Sequence, residues 1–223
     1  MLIVTSCRKM NVPTRIGLIS DVHATVAPLR EALSVFQQFG VDLILCPGDV
    51  VGYGVETAET IELLQQSHCQ TILGNHEIWY LEETKQDAVD QITGFLRNLP
   101  SVLELNIETK SLYMVHASPP RSYMDGIKLL DENGEILSEE MKYWTERLVD
   151  FNNDILIVGH THQVFAEQLG NTLVVNPGST KFNHTCAILE LPGLKYEVFP
   201  LSGKAPVKTW NWGLYFSQQN NKE

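Results

Sequence analysis

Asp21-x-His23, Asp49, Asn75-His76, His116 and His160-x-His162 set carboxylate, carboxamide and imidazole groups at intervals along this chain. All are hard or borderline oxygen and nitrogen donors. With no thiolate among them, such a set suits Mn, Fe, Co, Ni or Zn. Two carboxylates, one carboxamide and several imidazoles suffice for two divalent ions at one place. Two divalent ions beside two carboxylates would leave the site with a small net positive charge, which suits a phosphate group.

The donors can meet only if the fold brings them together. Each follows a short apolar run: 15–20 before Asp21, 41–46 before Asp49, 69–73 before Asn75, 111–115 before His116 and 154–158 before His160. Such runs, bounded by Gly, Pro and polar residues, predict strands. Residues 27–39 carry Leu29, Ala32, Leu33 and Phe36 at helical spacing, and residues 57–67 carry Ile61, Leu63 and Leu64. This β-α-β-α-β order predicts parallel pairing through right-handed crossovers. Ligands of an open α/β sheet collect at the carboxyl ends of its strands, where all these donors fall.

Further along, 87–96 reads as a helix, and 102–107 with 111–115 as a hairpin. Residues 138–150 read as a helix capped by Ser138. Strands follow at 164–168, 172–175, 185–191 and 195–200, with turns at Gly170-Asn171 and Pro192-Gly193. Two mixed sheets packed together with helices outside are therefore expected. Residues 1–14 read as a flexible extension, 15–208 as one domain and 209–223 as a tail that Trp210 and Trp212 could anchor.

Each motif alone has an ordinary explanation. Asp21 could cap the next helix, and Gly48-Asp49 is a common turn dipeptide. Gly74-Asn75-His76-Glu77 and Gly159-His160-Thr161-His162 are harder to explain as turns, since alternate residues of an extended segment share a face. Four such blocks, each behind a strand, point to a shared site.

With these blocks in view, the chain resembles the calcineurin-like metallophosphoesterases of the small single-domain bacterial and archaeal type, over roughly residues 15–200. The resemblance implies an α/β/β/α sandwich with the metal site at the carboxyl edge of its strands. It implies that Asp21, His23, Asp49 and His162 hold one ion, and that Asn75, His116 and His160 complete a second that shares Asp49. His76 becomes the proton donor to the leaving group, Asn75 assists catalysis, and Mn is the first choice of metal. Phosphodiesters are the favoured substrates. Phosphomonoesters, phosphoproteins and dinucleoside polyphosphates are alternatives, and a non-catalytic scaffold is the reading from another class. The chain departs from the family at Glu77, where Asp is usual, and at Ala117, where Gly is usual.

Other residues stay open. Tyr53 is a candidate for the pocket rim or for plain packing. Arg121, five residues after His116, is a candidate phosphate contact or a solvated loop arginine. Asn176-Pro177-Gly178-Ser179 either shapes the pocket or is a turn between strands. His68 and His184 read as ordinary histidines.

Composition sets the outer bounds. The formal charge of −11 disfavours an extended nucleic-acid surface, leaving a small phosphate ester as the expected partner. Four cysteines without a Cys-x-x-Cys pair suit buried thiols and a cytoplasmic setting. No apolar run approaches the ~18 residues of a membrane span. Oligomeric state is not readable from these features.

Overall fold

The computed structural model describes residues 13–84 and 90–212. In chain order the strands are β1 (Thr14–Leu18), β2 (Leu43–Cys46), β3 (Gln70–Thr71), β4 (Val102–Ile107), β5 (Lys110–Val115), β6 (Ile155–Ile157), β7 (Val164–Leu169), β8 (Thr172–Pro177), β9 (Thr185–Leu191) and β10 (Lys195–Pro200). The helices are α1 (Val26–Phe39), α2 (Thr57–Gln66), α3 (Asn75–Glu83), α4 (Gln91–Arg97) and α5 (Ser138–Arg147).

Two mixed sheets form, in the orders β10-β9-β1-β2-β3 and β4-β5-β6-β8-β7. The expected parallel unit is present: β1 pairs with β2, and β2 with β3. In the second sheet β5, β6 and β8 are parallel, flanked by antiparallel β4 and β7.

Period-2 alternation assigns the faces. Ile16 and Leu18 of β1 point between the sheets and meet Leu112, Met114, Ile155 and Ile157 of the other sheet in one buried cluster. On the outer face of the first sheet, Leu29, Ala32 and Phe36 of α1 and Ile61 and Leu64 of α2 bury against Cys46, Cys186 and Ile188. Trp144 of α5 and neighbouring Leu148 cover Leu156, Val158 and Val174 outside the second sheet. The result is the four-layer α/β/β/α order. Gly17 lies on the helix-facing side, where a Cβ would stand 2.8 Å from the Phe36 ring; its lack of a side chain lets α1 approach β1.

Several boundaries differ from the sequence reading. Strand β3 is only two residues long, because Leu73 donates to Pro100 O instead of continuing the ladder. The chain then enters α3 at Asn75, a helix the apolar pattern does not signal. Strand β8 continues through Asn176 and Pro177, paired with Phe165 and Val164, so the turn starts only at Gly178. Ser138 is not the cap of α5. Leu137 occupies that position, and its N–H donates to Leu129 O beside the Leu130–Ile136 bridge, so strand-like pairing sets the helix entry. Asp90 caps α4 by accepting from Thr93 N; residues 87–89 of the expected helix lie outside the described residues.

At the ends, Thr14 already pairs with Leu191 in the sheet, while residues 1–12, including Cys7, lie outside the described residues. Of the expected tail, Thr209 bridges to Gln163 and Trp210 N donates to His162 O; residues 213–223 lie outside the described residues. Cys46 and Cys186 are buried free thiols, and Cys69 is partly buried. No described helix is long and apolar enough to cross a membrane.

Candidate metal centre

The donors lie beyond the carboxyl ends of five strands from both sheets. Asp21 and His23 follow β1, Asp49 follows β2, Asn75 and His76 open α3 after β3, His116 follows β5, and His160 and His162 follow β6. The first two loops are stitched by backbone bonds: Asp21 N donates to Gly48 O, His23 N to Asp49 O and Ala24 N to Val50 O. Asp21, His23, Asp49, His160 and His162 all sit at positive φ, between 48° and 63°. Non-glycine residues take that region only where the surroundings impose it, and such positions gather at functional sites.

Side chains converge in two adjoining clusters. In one, His162 Nε2 lies 3.1 Å from His23 Nε2 and 3.3 Å from Asp21 Oδ1. In the other, Asn75 Oδ1 is 2.9 Å from both His116 Nε2 and His160 Nδ1, and His116 Nε2 is 3.4 Å from Asp49 Oδ2. Donor atoms of Asp21, His23 and His162 lie within 4.8 Å of one another, as do those of Asp49, His116 and His160, and those of His23, Asp49 and His76.

A carbonyl oxygen only accepts, which assigns two tautomers. His116 Nδ1 donates to Pro47 O and His23 Nδ1 to Val51 O; His23 turns its Nε2 lone pair into the cleft, and His116 can do so once it loses the Nε2 proton that faces Asn75 Oδ1. The buried His23 Nε2 lone pair lies 3.1 Å from His162 Nε2, with the Asp21 carboxylate beside it, a donor set that suits a cation. His162 Nδ1 is also buried without a hydrogen-bond partner among the described residues. The residues present therefore fit divalent ions.

The electrostatics agree. Burial opposes ionisation of Asp21, yet neighbouring His162 holds its carboxyl below the usual range. Asp49 is lowered likewise against burial, by His116. Burial drives His23 down to about 3 and lowers His160 and His76, keeping these rings neutral. At His116 burial is outweighed by Asp49, and the ring is held up at about 9. A metal ligand there must displace that proton.

Glu77, the departure from the family pattern, has a role that sequence reasoning missed. It is fully buried and accepts four backbone N–H groups: Asp49 and Gly74 on Oε2, Val50 and Val51 on Oε1. One carboxylate thus ties the Asp49 turn to the start of α3. Burial and the charge of Asp49 push its carboxyl up to about 7, but the four donors favour the ionised form, since a proton on either oxygen would face an N–H. The signal was present as an acidic residue at the third position of a helix. Glu77→Gln turns an amide NH2 toward two N–H groups. We expect a loss of about 2–5 kcal/mol and a metal affinity weaker by about 10–100-fold. Thermal unfolding and metal titration check this; wild-type values for both would refute the role.

Further buried amides hold the remaining ligands. Asn176 Nδ2 donates to Gly159 O and Thr161 Oγ1, Ser179 Oγ donates to Asp21 O, and Asn183 Nδ2 donates to His162 O. The Asn176-Pro177-Gly178-Ser179 segment thus shapes the site from behind. His76 is oriented by rings rather than by a carboxylate. Its ring lies 4.7 Å from His23, 4.6 Å from Tyr53 and 4.9 Å from Trp79. Asp21, a candidate orienter, instead accepts from Ser20 Oγ and His160 N, and no hydrogen bond joins it to the His76 ring among the described residues.

An open pocket of about 410 Å3 lies over the centre, lined by Asp49, Asn75, His76, His160 and His162 with Tyr53 at its rim. Arg121 is absent from its lining. The loop doubles back through a Ser118–Ser122 bridge, and the exposed Arg121 acts electrostatically on the Tyr113 hydroxyl instead. Among the described residues, the Lys or Arg that lines the pocket is Lys128, whose segment is pinned where Gln163 Oε1 accepts from Leu129 N and Leu130 N. His184 contacts Lys204 and His68 follows α2, both outside the centre.

A model of the calcineurin-like phosphoesterase superfamily domain matches residues 14–192. The chain belongs to that superfamily. This phosphoesterase is accordingly a metal-dependent phosphoric ester hydrolase. It is 26% identical to an uncharacterized protein of Methanocaldococcus jannaschii, covering 82% of this chain and 76% of the relative. It is 25% identical to serine/threonine-protein phosphatase 2 of Escherichia coli, covering 74% and 87%. It is 24% identical to the phosphodiesterase YfcE of Escherichia coli, covering 72% and 76%. The three relatives are named for different esters or for none, so the matched family leaves the substrate open.

Proposed function

We propose that this phosphoesterase hydrolyses small phosphodiesters with two divalent ions, Mn first among them. Asp21, His23, Asp49 and His162 would hold one ion, and Asp49, Asn75, His116 and His160 the other. The observation that carries the reading is the pair of adjoining donor clusters, with Asp49 belonging to two of the three donor groups. When bound, two ions lower the pKa of a shared water toward neutrality and offset charge on the phosphoryl oxygens.

The chain's own residues do the rest. His76, half-buried and facing the pocket, donates a proton to the leaving oxygen from its imidazolium form, which the negative charge of an arriving phosphate favours over the neutral ring. Asn75 Oδ1 lies 2.9 Å from both His116 Nε2 and His160 Nδ1, where one ion could take all three atoms, and its position at the start of α3 places His76 next to it. Lys128 attracts the phosphate group. Free thiols and the acidic balance support a cytoplasmic enzyme acting on small molecules rather than on nucleic-acid polymers.

A panel with Mn2+ tests this: bis(p-nitrophenyl) phosphate, p-nitrophenyl phosphate and a phosphoserine peptide, alongside metal analysis. We expect two ions per chain and the highest kcat/KM on the diester. One ion at full activity would sink the shared role of Asp49. A monoester or peptide preference would sink the diester reading, and no hydrolysis of any substrate would favour a scaffold.

A further inference from the structure

The loop that carries His160 and His162 has a second pair of side chains at alternate positions. His160 and His162 turn to the metal centre, while Thr161 and Gln163 turn to residues 127–130. Thr161 Oγ1 donates to Ile127 O. Gln163 Oε1 accepts from Leu129 N and Leu130 N, and Gln163 Nε2 donates to Leu130 O. Gln163 is 3% exposed, so water would not readily replace it on those backbone groups. Gly126 brings the chain in close: a Cβ there would stand 2.5 Å from Thr161 Cγ2 and 2.9 Å from His160 Cδ2. Residues 126–130 are thus seated directly on the ligand loop.

Between the two attachments stands Lys128. Ile127 and Leu129 on either side are fully buried, and alternation sends Lys128 outward, into the lining of the pocket with Asp49, Asn75, His76 and His160. Among the described residues no hydrogen bond or ion pair holds its ammonium. Asp131 and Glu132 share the lining, but Asp131 accepts from Asn133 N and Glu135 N within its own turn, and Glu132 forms no ion pair with Lys128. A lysine carries its charge on a flexible stem, so the position of its backbone decides where that charge can reach. The loop that supplies two metal ligands therefore also sets how far Lys128 stands from them.

We infer that Thr161 and Gln163 are positioning residues, which hold the backbone at residue 128 so that Lys128 meets the phosphoryl group at the metal centre. The role deepens the reading of Lys128 as a phosphate contact and rests on it. Their loss should act as the loss of the Lys128 charge acts, on substrate binding before turnover.

Two measurements on Mn2+-loaded protein test it: calorimetric titration with inorganic phosphate, and turnover of bis(p-nitrophenyl) phosphate. The variants are Lys128→Met, Gln163→Met and the two combined. Lys128→Met should weaken phosphate binding by about fivefold, the upper range for a solvent-exposed ion pair, and raise KM by a like factor with kcat within about twofold of wild type. Gln163→Met should do the same. The double variant should be no worse than either single one, because the second change removes a contact already lost. Added NaCl should shrink the wild type's advantage over each variant alike. Losses that multiply in the double variant, or a Gln163→Met loss that ignores salt, would assign Gln163 to general support of the fold and overturn the inference. Wild-type phosphate affinity in Lys128→Met would overturn it too. If Gln163→Met does not fold, Thr161→Val, which removes the bond to Ile127 O, takes its place in the cycle with the same outcomes. If the diester is not hydrolysed, the diester reading fails, and the phosphate titration alone decides the positioning role by the same cycle.

Discussion

Asp49→Ala is expected to abolish turnover and strip metal from the centre. Asp49 belongs to two of the three donor groups, lies 3.4 Å from His116 Nε2 and accepts from His76 N. Removing an outer-shell partner typically costs about 10–100-fold, so loss of this carboxylate should cost more than about 10³-fold. The fold should survive, because its removal also relieves repulsion on buried Glu77. Metal content and turnover on the diester, with circular dichroism as the folding check, decide the matter. A variant that keeps both ions and near-normal turnover would show that Asp49 bridges nothing.

His76→Ala is expected to slow turnover by about 10²–10⁴-fold on diesters with alkoxide leaving groups, the usual loss for a general acid. Metals should stay bound, since the contact from residue 76 to Asp49 is a backbone N–H that alanine retains. With p-nitrophenolate, which leaves without a proton, the loss should shrink toward parity. Equal losses across leaving groups of widely different pKa, with chemistry rate-limiting, would assign His76 to positioning.

How far the sequence was legible follows the physics of each signal. Apolar runs ending in polar donors located β1, β2, β5 and β6 and the ligands behind them, because burial on both faces leaves an unbroken hydrophobic signature. The early end of β3 and the start of α3 at Asn75 were not legible, since a metal-ligand block that opens a helix lacks apolar periodicity there. Of the two readings open for Arg121, its exposure fits the solvated loop arginine, because nearness in sequence to His116 says nothing of where a doubled-back loop points. Lys128, Trp210 and Trp212 come from segments distant in sequence, and only tertiary pairing to residues 162–164 brings them over the centre. Glu77 was seen but undervalued, because no one-dimensional pattern tells how many backbone donors a carboxylate collects.

The left-handed backbone at Asp21, His23, Asp49, His160 and His162 sets stability against activity in this enzyme. Each such residue costs about 1 kcal/mol or more relative to a relaxed conformation. Together they approach the lower end of the ~5–15 kcal/mol net stability of a folded domain. Glycine at these positions would relieve the tension, but it would delete the donor. Selection for a hardier variant must therefore work elsewhere, on helix surfaces and loops away from the strand ends.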